Sequence, residues 1–374
     1  MGFSAEARPR LATSQRFTMI DALRGIAAIW VACFHFYGGL SDLFTRHTFV
    51  NPFHFILAHG NTGVEIFFVI SGFVIAYSIR GRSVTPGYFG HFVLRRSVRL
   101  EPPYWATIAL AIASLWLSNH LRVDRVAQLP SAGKVVAHIF YLQGFLHQGQ
   151  IVDVFWTLCM EVQFYVFFLA LVALSQRLGD SRISRLAVLV PLTVASFGIQ
   201  LGLFPEPTAW MFKFWYLFQL GVIAYWATSR QLKYSDFFVY LVLLVGLQGW
   251  HPSVTGAMGL LTGLLLYLAA RYDFMSALDY APLQFLGRRS YSLYLIHPVI
   301  GVPFAYFFAR KFFGALVSAP AAIVCMLTAI TVSLVGAQLL YMFVERPSVE
   351  LSSRLKKKSR RLDPLPDAEA QAAS

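Results

Sequence analysis

The stretch Asp21-Ala-Leu-Arg24-Gly-Ile-Ala-Ala-Ile-Trp-Val-Ala-Cys-Phe-His35 decides how the chain is read. It has the apolar run of a membrane-crossing helix, yet Arg24 and His35 sit eleven positions apart within it. A charged side chain at mid-bilayer costs at least ~2.5–3.5 kcal/mol, so such residues face a polar cavity or a partner. Two of them on one span point to chemistry staged inside the membrane rather than to a plain anchor.

The rest of the chain agrees. Its 374 residues are 57% hydrophobic and 13% charged, with mean hydropathy +0.59. Soluble domains carry roughly 25% charged residues, so an ordinary soluble enzyme is excluded. Windows of about 20 apolar residues, enough to cross the hydrocarbon, centre near residues 30, 71, 110, 165, 193, 218, 242, 262, 298 and 332. The Gly249-Trp-His-Pro252 break separates the seventh from the eighth; without it the count is nine. The expected fold is all-α, a polytopic membrane protein of about ten transmembrane helices. The net charge of +13 is unevenly spread. With the N-terminus inside, 23 Lys and Arg face the cytoplasm and 7 face outward. That bias follows the positive-inside rule and puts both termini in the cytoplasm. The basic excess is therefore topological, and no nucleic acid is expected as a partner. Cys33, Cys159 and Cys325 fall in apolar runs, which supports neither a disulfide framework nor a metal site. The basic N-terminus before an apolar run is signal-like, but Asp21 and Arg24 interrupt it and no clean cleavage site follows, so the first span is read as uncleaved.

Residues 1–16 read as a disordered cytoplasmic N-terminus, 17–349 as one transmembrane domain, and 350–374 as a disordered basic tail. Residues 41–60 form an outer loop in which His47, His54 and His59 read as loop residues. The segment Thr85–Arg99 suits a helix lying at the cytoplasmic interface, with Pro102-Pro103 stopping it and starting the third span. Residues 121–154 make the largest outer loop, with a half-apolar stretch around 137–145 that suits a re-entrant segment.

Depth then sorts the candidate site residues. At 1.5 Å per residue, Arg24 and His35 are about 16 Å apart along the helix. His35 falls in the outer half, with Glu65 at the outer end of span two, Glu161 about two turns down span four, and His297 near the middle of span nine. Two histidines and two carboxylates are thus expected to converge, above Tyr291 and above Arg24, Arg95, Arg96 and Arg99 near the cytoplasm. A histidine beside a carboxylate can act as general base at neutral pH, and arginines bind phosphates in a planar, bidentate way. Plainer readings stand beside these. His35 fits a ring bonded to a backbone carbonyl, His297 a kink before Pro298, Glu65 a solvated helix end, and Arg95, Arg96 and Arg99 simple anchors. Intramembrane Arg, Glu and His would also serve a transporter or flippase.

Six blocks resemble the membrane-bound acyltransferase family 3. They are Asp21-Ala-Leu-Arg24-Gly25 with His35; Gly63-Val-Glu65 through Ser71-Gly72-Phe73; and Arg95-Arg96-Ser-Val-Arg99 through Pro102-Pro103-Tyr104-Trp105. Phe155-Trp156-Thr157-Leu158-Cys-Met-Glu161 through Tyr165, Gly287 through Ser290-Tyr291-Ser292 to His297, and Glu345-Arg-Pro347 complete the set, in family order. The resemblance implies an enzyme of the bacterial inner membrane. It would transfer an acyl group, usually acetyl from acetyl-CoA, to hydroxyls of a carbohydrate or glycolipid acceptor such as exopolysaccharide, O-antigen or lipo-oligosaccharide. Arg24 and His35 match the family's Arg-x10-His pair, and Arg96 and Arg99 its Arg-x-x-Arg motif, expected to meet CoA phosphates with Arg95 beside them. Glu65, Glu161, Tyr291 and His297 fall in matching blocks. His35 is the expected base, or itself the acetyl carrier; Tyr291 or Tyr165 are the expected oxyanion donors. Glu101 departs from the hydrophobic or aromatic residue expected before Pro102. Many relatives carry a fused esterase-like domain that this chain ends without, so a separate glycan-assembly protein is expected to supply any second transfer.

Overall fold

The computed structural model describes residues 17–39, 51–121, 128–313 and 319–362; His47 and the two terminal segments lie outside them. Among the described residues there is helix and no strand. In chain order the helices are α1 (Thr18–Gly39), α2 (Asn51–Ala58), α3 (Gly63–Ser78), α4 (Pro86–Leu121), α5 (Ala132–Ile139), α6 (Phe155–Arg177), α7 (Arg182–Gln200) and α8 (Trp215–Thr228). They continue as α9 (Tyr234–Trp250), α10 (Val254–Arg271), α11 (Ala281–Arg288), α12 (Ser290–Ile296), α13 (Val302–Phe313), α14 (Ala319–Leu340) and α15 (Arg346–Leu362).

Each apolar window falls within this series, but among the described residues six helices have the length and hydropathy to cross a membrane. They are Thr18–Gly38, Gly60–Ser78, Phe155–Arg177, Arg182–Gln200, Val254–Arg271 and Pro320–Leu355. The break at Gly249–Pro252 does divide α9 from α10. The window near 298 is itself divided: α11 ends before Arg289, and a π turn over His297–Gly301 follows α12. Pro298 has no N–H to give the preceding turn, and a widened turn absorbs the loss.

Side-chain contacts fix the helix directions. Phe68 stacks near Phe214 and Phe218 at one end of α3, and Tyr77 near Tyr225 at the other, so α3 and α8 run parallel. Phe68 also meets Trp156, and Ser71 meets Glu161, so α6 runs with them. Tyr104 packs on Phe155 while Arg96 covers Tyr165, which makes α4 antiparallel to α6. Phe17 on Tyr77 sets α1 against α3. Arg182 pairs with Asp236 across the starts of α7 and α9, at 2.5 Å.

Two of the expectations change. The segment Thr85–Arg99 is not a separate interfacial helix: α4 is one helix of 36 residues with Pro102 and Pro103 inside it. The prolines remove two donors and leave the carbonyls of Val98 and Arg99 without helical partners. Apolar surroundings favour keeping the helix intact through such a break, and just past the two orphaned carbonyls Tyr291 of α12 fastens α4 by donating to the Leu100 carbonyl at 2.7 Å. The tail differs too. The chain read as disordered from 350 stays helical to Leu362, tied by Arg346–Glu350 at 2.9 Å and by Ser352 Oγ donating to the Arg95 carbonyl at 2.9 Å. The large outer loop folds back on the bundle: buried His138 accepts from the Ile151 N–H, and Tyr141 stacks on Tyr104.

The centre of the bundle is a backbone contact. A Cβ on Gly72 would strike the Phe218 carbonyl, and one on Gly221 the Val69 carbonyl. Lipid gives helices no hydrophobic drive to associate, so small residues that let backbones touch carry this packing. Gly221→Leu should therefore part α3 from α8 and cost about 3 kcal/mol or more. Size-exclusion of detergent extracts should show loss of the monodisperse peak; an unchanged profile and unfolding temperature would refute the contact.

Candidate active site

The first of the two ionisable residues on α1, Arg24, donates through Nε to Ser290 Oγ of α12 at 3.2 Å. The second, His35, meets the other end of α12. Its Nδ1 lies 2.9 Å from the Val31 carbonyl and 3.2 Å from Nε2 of His297. The His297 Nδ1 lies 3.0 Å from the Leu293 carbonyl. Carbonyls only accept, so both Nδ1 atoms carry hydrogen, and the His297 Nε2 lone pair receives from His35. That fixes the tautomer: His35 Nε2 is left with its lone pair outward. His297 is fully buried and His35 half-buried.

The carboxylates do not join this pair. Gly63 faces α1 at Ala27 and Val31, so Glu65, two residues and about 200° round the helix, faces α8, where its charge is felt by Tyr216. One of its oxygens is buried without a hydrogen-bond partner. The carboxylate whose field reaches His35 is instead Asp153, just before α6. Glu161 lies lower, accepting from Ser71 Oγ at 2.5 Å and from the Tyr165 hydroxyl. The expected meeting of two histidines and two carboxylates thus resolves into two levels.

The lower level is basic. Arg24, Arg96 and Arg99 lie within electrostatic reach of one another, with Glu161 and Glu345 as their carboxylates. Glu345 is buried and receives the Ser292 N–H at 3.2 Å and its hydroxyl at 2.5 Å. Arg96 covers the rings of Phe92 and Tyr165. Arg95 faces Phe92 and the Tyr88 side of α4. Glu101 edges a small cavity beside Arg96 and Tyr141. Between the levels runs a cavity of about 50 Å³ lined by Arg24, Ser71, Thr157, Glu161, Tyr291 and Tyr294, room for a few waters. Tyr294 bridges upward: its hydroxyl is 2.8 Å from that of Thr157, and its ring is 6.0 Å from His297.

The sequence matches the model of an acyltransferase domain over residues 17–338. The chain belongs to acyltransferase family 3. With that family its apolar helices mark a multi-pass membrane protein. Over 337 residues it is 24% identical to a Bacillus subtilis (strain 168) protein named "Putative peptidoglycan O-acetyltransferase YrhL", covering 75% of this chain and 48% of that one. It is 34% identical over 127 residues to "Exopolysaccharide production protein ExoZ" of Rhizobium meliloti (strain 1021), covering 31% of this chain and 34% of that one. It is 25% identical over 287 residues to "Nodulation protein 10" of Rhizobium leguminosarum bv. viciae, covering 66% and 73%. The chain spans about half the length of the Bacillus relative and a third of ExoZ. No solved structure matches it.

Within the family site, Ser71, Thr157, Ser290, Ser292, Tyr294 and Glu345 are residues that sequence reasoning left out. Ser290, Ser292 and Glu345 stood inside the quoted blocks, but spacing alone did not show that 292 and 345 meet. Tyr291 and Tyr165 change role. Each has committed its hydroxyl proton, to Leu100 and to Glu161 respectively, so neither is free for a developing oxyanion. Tyr291→Phe should lower stability by about 1 kcal/mol, the worth of one hydrogen bond, read as a fall in unfolding temperature. Loss of an oxyanion donor costs ~10²–10³ in rate, and a drop of that size in acyl transfer would restore Tyr291 to the chemistry.

Proposed function

We propose that the chain moves an acetyl group from cytoplasmic acetyl-CoA to a hydroxyl of a carbohydrate or glycolipid acceptor, with His35 as general base. The proposed setting is the bacterial inner membrane, with about ten crossings and both termini inside. The helix directions support that reading, since α1, α4, α7 and α9 run one way and α3, α6 and α8 the other. One observation carries the chemistry: His35 Nδ1–H is held by Val31 and His297, which leaves the Nε2 lone pair for a proton, and His297 packs near Tyr294, whose side chain lines the cavity that Arg24 also lines.

In the proposed step the acceptor hydroxyl gives its proton to His35 Nε2 while its oxygen attacks the thioester carbonyl carbon. The tetrahedral intermediate collapses with cleavage of the C–S bond, and the departing sulfur recovers the proton from the imidazolium. His297 and the Asp153 charge steady that imidazolium, as an acceptor on Nδ1–H does in hydrolytic triads. Arg24, Arg96 and Arg99, with Arg95 beside them, hold the donor's phosphates below, and the thin arm spans the ~16 Å between Arg24 and His35. The acceptor arrives from the outer loops, and a glycan-assembly protein is a fitting partner. The names of the relatives, with their peptidoglycan and exopolysaccharide, favour a glycan over a transported solute.

His35→Ala should abolish acetylation, read as loss of one acetyl unit from cell-surface glycans by mass spectrometry, with the protein still in the membrane. Near-normal acetylation would sink the assignment. His297→Asn should lower kcat by ~10²-fold, the range of general-base assistance, with the KM for acetyl-CoA little changed. A KM effect alone would place His297 in donor binding. Charge reversal at Arg96 and Arg99 should raise the acetyl-CoA requirement, and an unchanged dependence would move the phosphate site elsewhere.

A further inference from the structure

We propose that a second cavity, at the end of the bundle where α3, α6 and α8 finish, lodges the phosphorylated adenosine head of the donor. This deepens the acyltransfer reading and rests on it. The cavity measures about 580 Å³, more than ten times the narrow one above it. Its lining includes Arg80, Arg82, Arg185, Gln176, Trp226 and Asp180. Three guanidiniums against one carboxylate leave it positive.

The site is prebuilt. Gln176 accepts the Val84 N–H at 2.7 Å through its oxygen and donates to the Arg82 carbonyl at 2.8 Å through its nitrogen. Both bonds pin the turn that carries Arg80 and Arg82 to α6. Arg80 lies 3.7 Å over the Tyr77 ring and donates to the Tyr77 carbonyl at 2.9 Å. Arg185 is oriented by Asp180 at 2.8 Å and by Gln231. Fixed planar forks of this kind suit phosphate oxygens. The volume far exceeds a bare phosphate and leaves room for a nucleoside beside it.

The cavity also stands in the right place. The Tyr88 hydroxyl feels Arg82, Arg95 and Arg96 together, so the basic lining continues toward Arg99 and Arg24. From Val172 to Glu161 along α6 is about 16 Å, and from Ala76 to Ser71 along α3 about 8 Å. A bulky polyanionic head below and a thin arm above match a wide cavity beneath a narrow one along the same two helices. An anionic lipid headgroup offers the same phosphate chemistry, and the test separates the two.

The full chain in phosphatidylcholine nanodiscs should bind CoA by calorimetry, and dephospho-CoA more weakly. Arg80→Ala with Arg82→Ala should weaken CoA at least about tenfold, the loss of one charge-assisted bond or more. It should raise the donor KM more than it lowers kcat, and Arg82→Lys should keep part of the affinity. If the double variant does not fold, Arg82→Gln alone, in the turn between exposed Gly81 and Ser83, carries the same measurement. Wild-type CoA affinity in a folded variant overturns the assignment. So does a variant that keeps CoA but loses phosphatidylglycerol, which makes the cavity a lipid site. Failure of the unmodified chain to bind CoA sinks the donor reading itself, and the cavity's role with it.

Discussion

Two polar groups on one buried helix must both find partners inside the protein, and α12 supplies both. Arg24 and His35 are about 16 Å apart along α1, whereas their partners Ser290 and His297 are about 10 Å apart along α12. The long arginine side chain reaches down at one end, and the π turn at His297 turns the ring inward at the other. Contacts in the same order on both helices require α1 and α12 to run parallel. Just ahead of α12, α11 comes so close to α1 that a side chain on Gly25 would press on Gly287. The satisfaction of two polar residues thus sets the direction, spacing and local irregularity of the helices around them.

The same requirement explains the character of the lower level. Three arginines share this region with two carboxylates, and each carboxylate takes hydroxyl donors: Ser71 and Tyr165 for Glu161, Ser292 for Glu345. Hydroxyls satisfy an anion without cancelling the charge of nearby guanidiniums. Tight ion pairs in the same place would be costly to open, since breaking a buried pair leaves an uncompensated charge. A cluster with unspent positive charge can receive an anionic ligand at little cost. Its position at the foot of the narrow cavity is where such a ligand's thin portion would enter.

How much of this the sequence disclosed depended on the range of the interaction. Arg24 and His35 were legible because both lie on one apolar run, where the cost of burial speaks for itself. The break before Pro252 was legible from local turn chemistry. Depth along a helix could be counted from residue number, and so His35 and His297 came out level. Azimuth could not: Glu65 matches the histidines in depth yet faces α8, because Gly63 has taken the side toward α1. The prolines of α4 misled because propensity reads two lost donors as a helix end, whereas the helix runs through them and is fastened beside the break by a bond from Tyr291, nearly two hundred residues away. That bond also took Tyr291 out of the chemistry. Glu345 was passed over because its meaning lies in Ser292 and Arg24, neither near it in the chain.

On the proposed function, a thioester and a sugar hydroxyl have to meet where water is scarce, because water attacks the same carbonyl carbon. A cavity with room for only a few waters, walled by Phe67, Phe68 and Val64, limits that competitor more effectively than any single residue. The base fits such a setting. Its Nδ1 proton is held by a carbonyl and a neutral imidazole, groups that need no solvation, and the carboxylate whose field reaches it, Asp153, is an exposed residue before α6 rather than part of the apolar wall. A carboxylate placed directly against His35 would bring its own hydration into the reaction space. On the proposed reading, the absence of Glu65 and Glu161 from the histidine pair is therefore a condition of the chemistry.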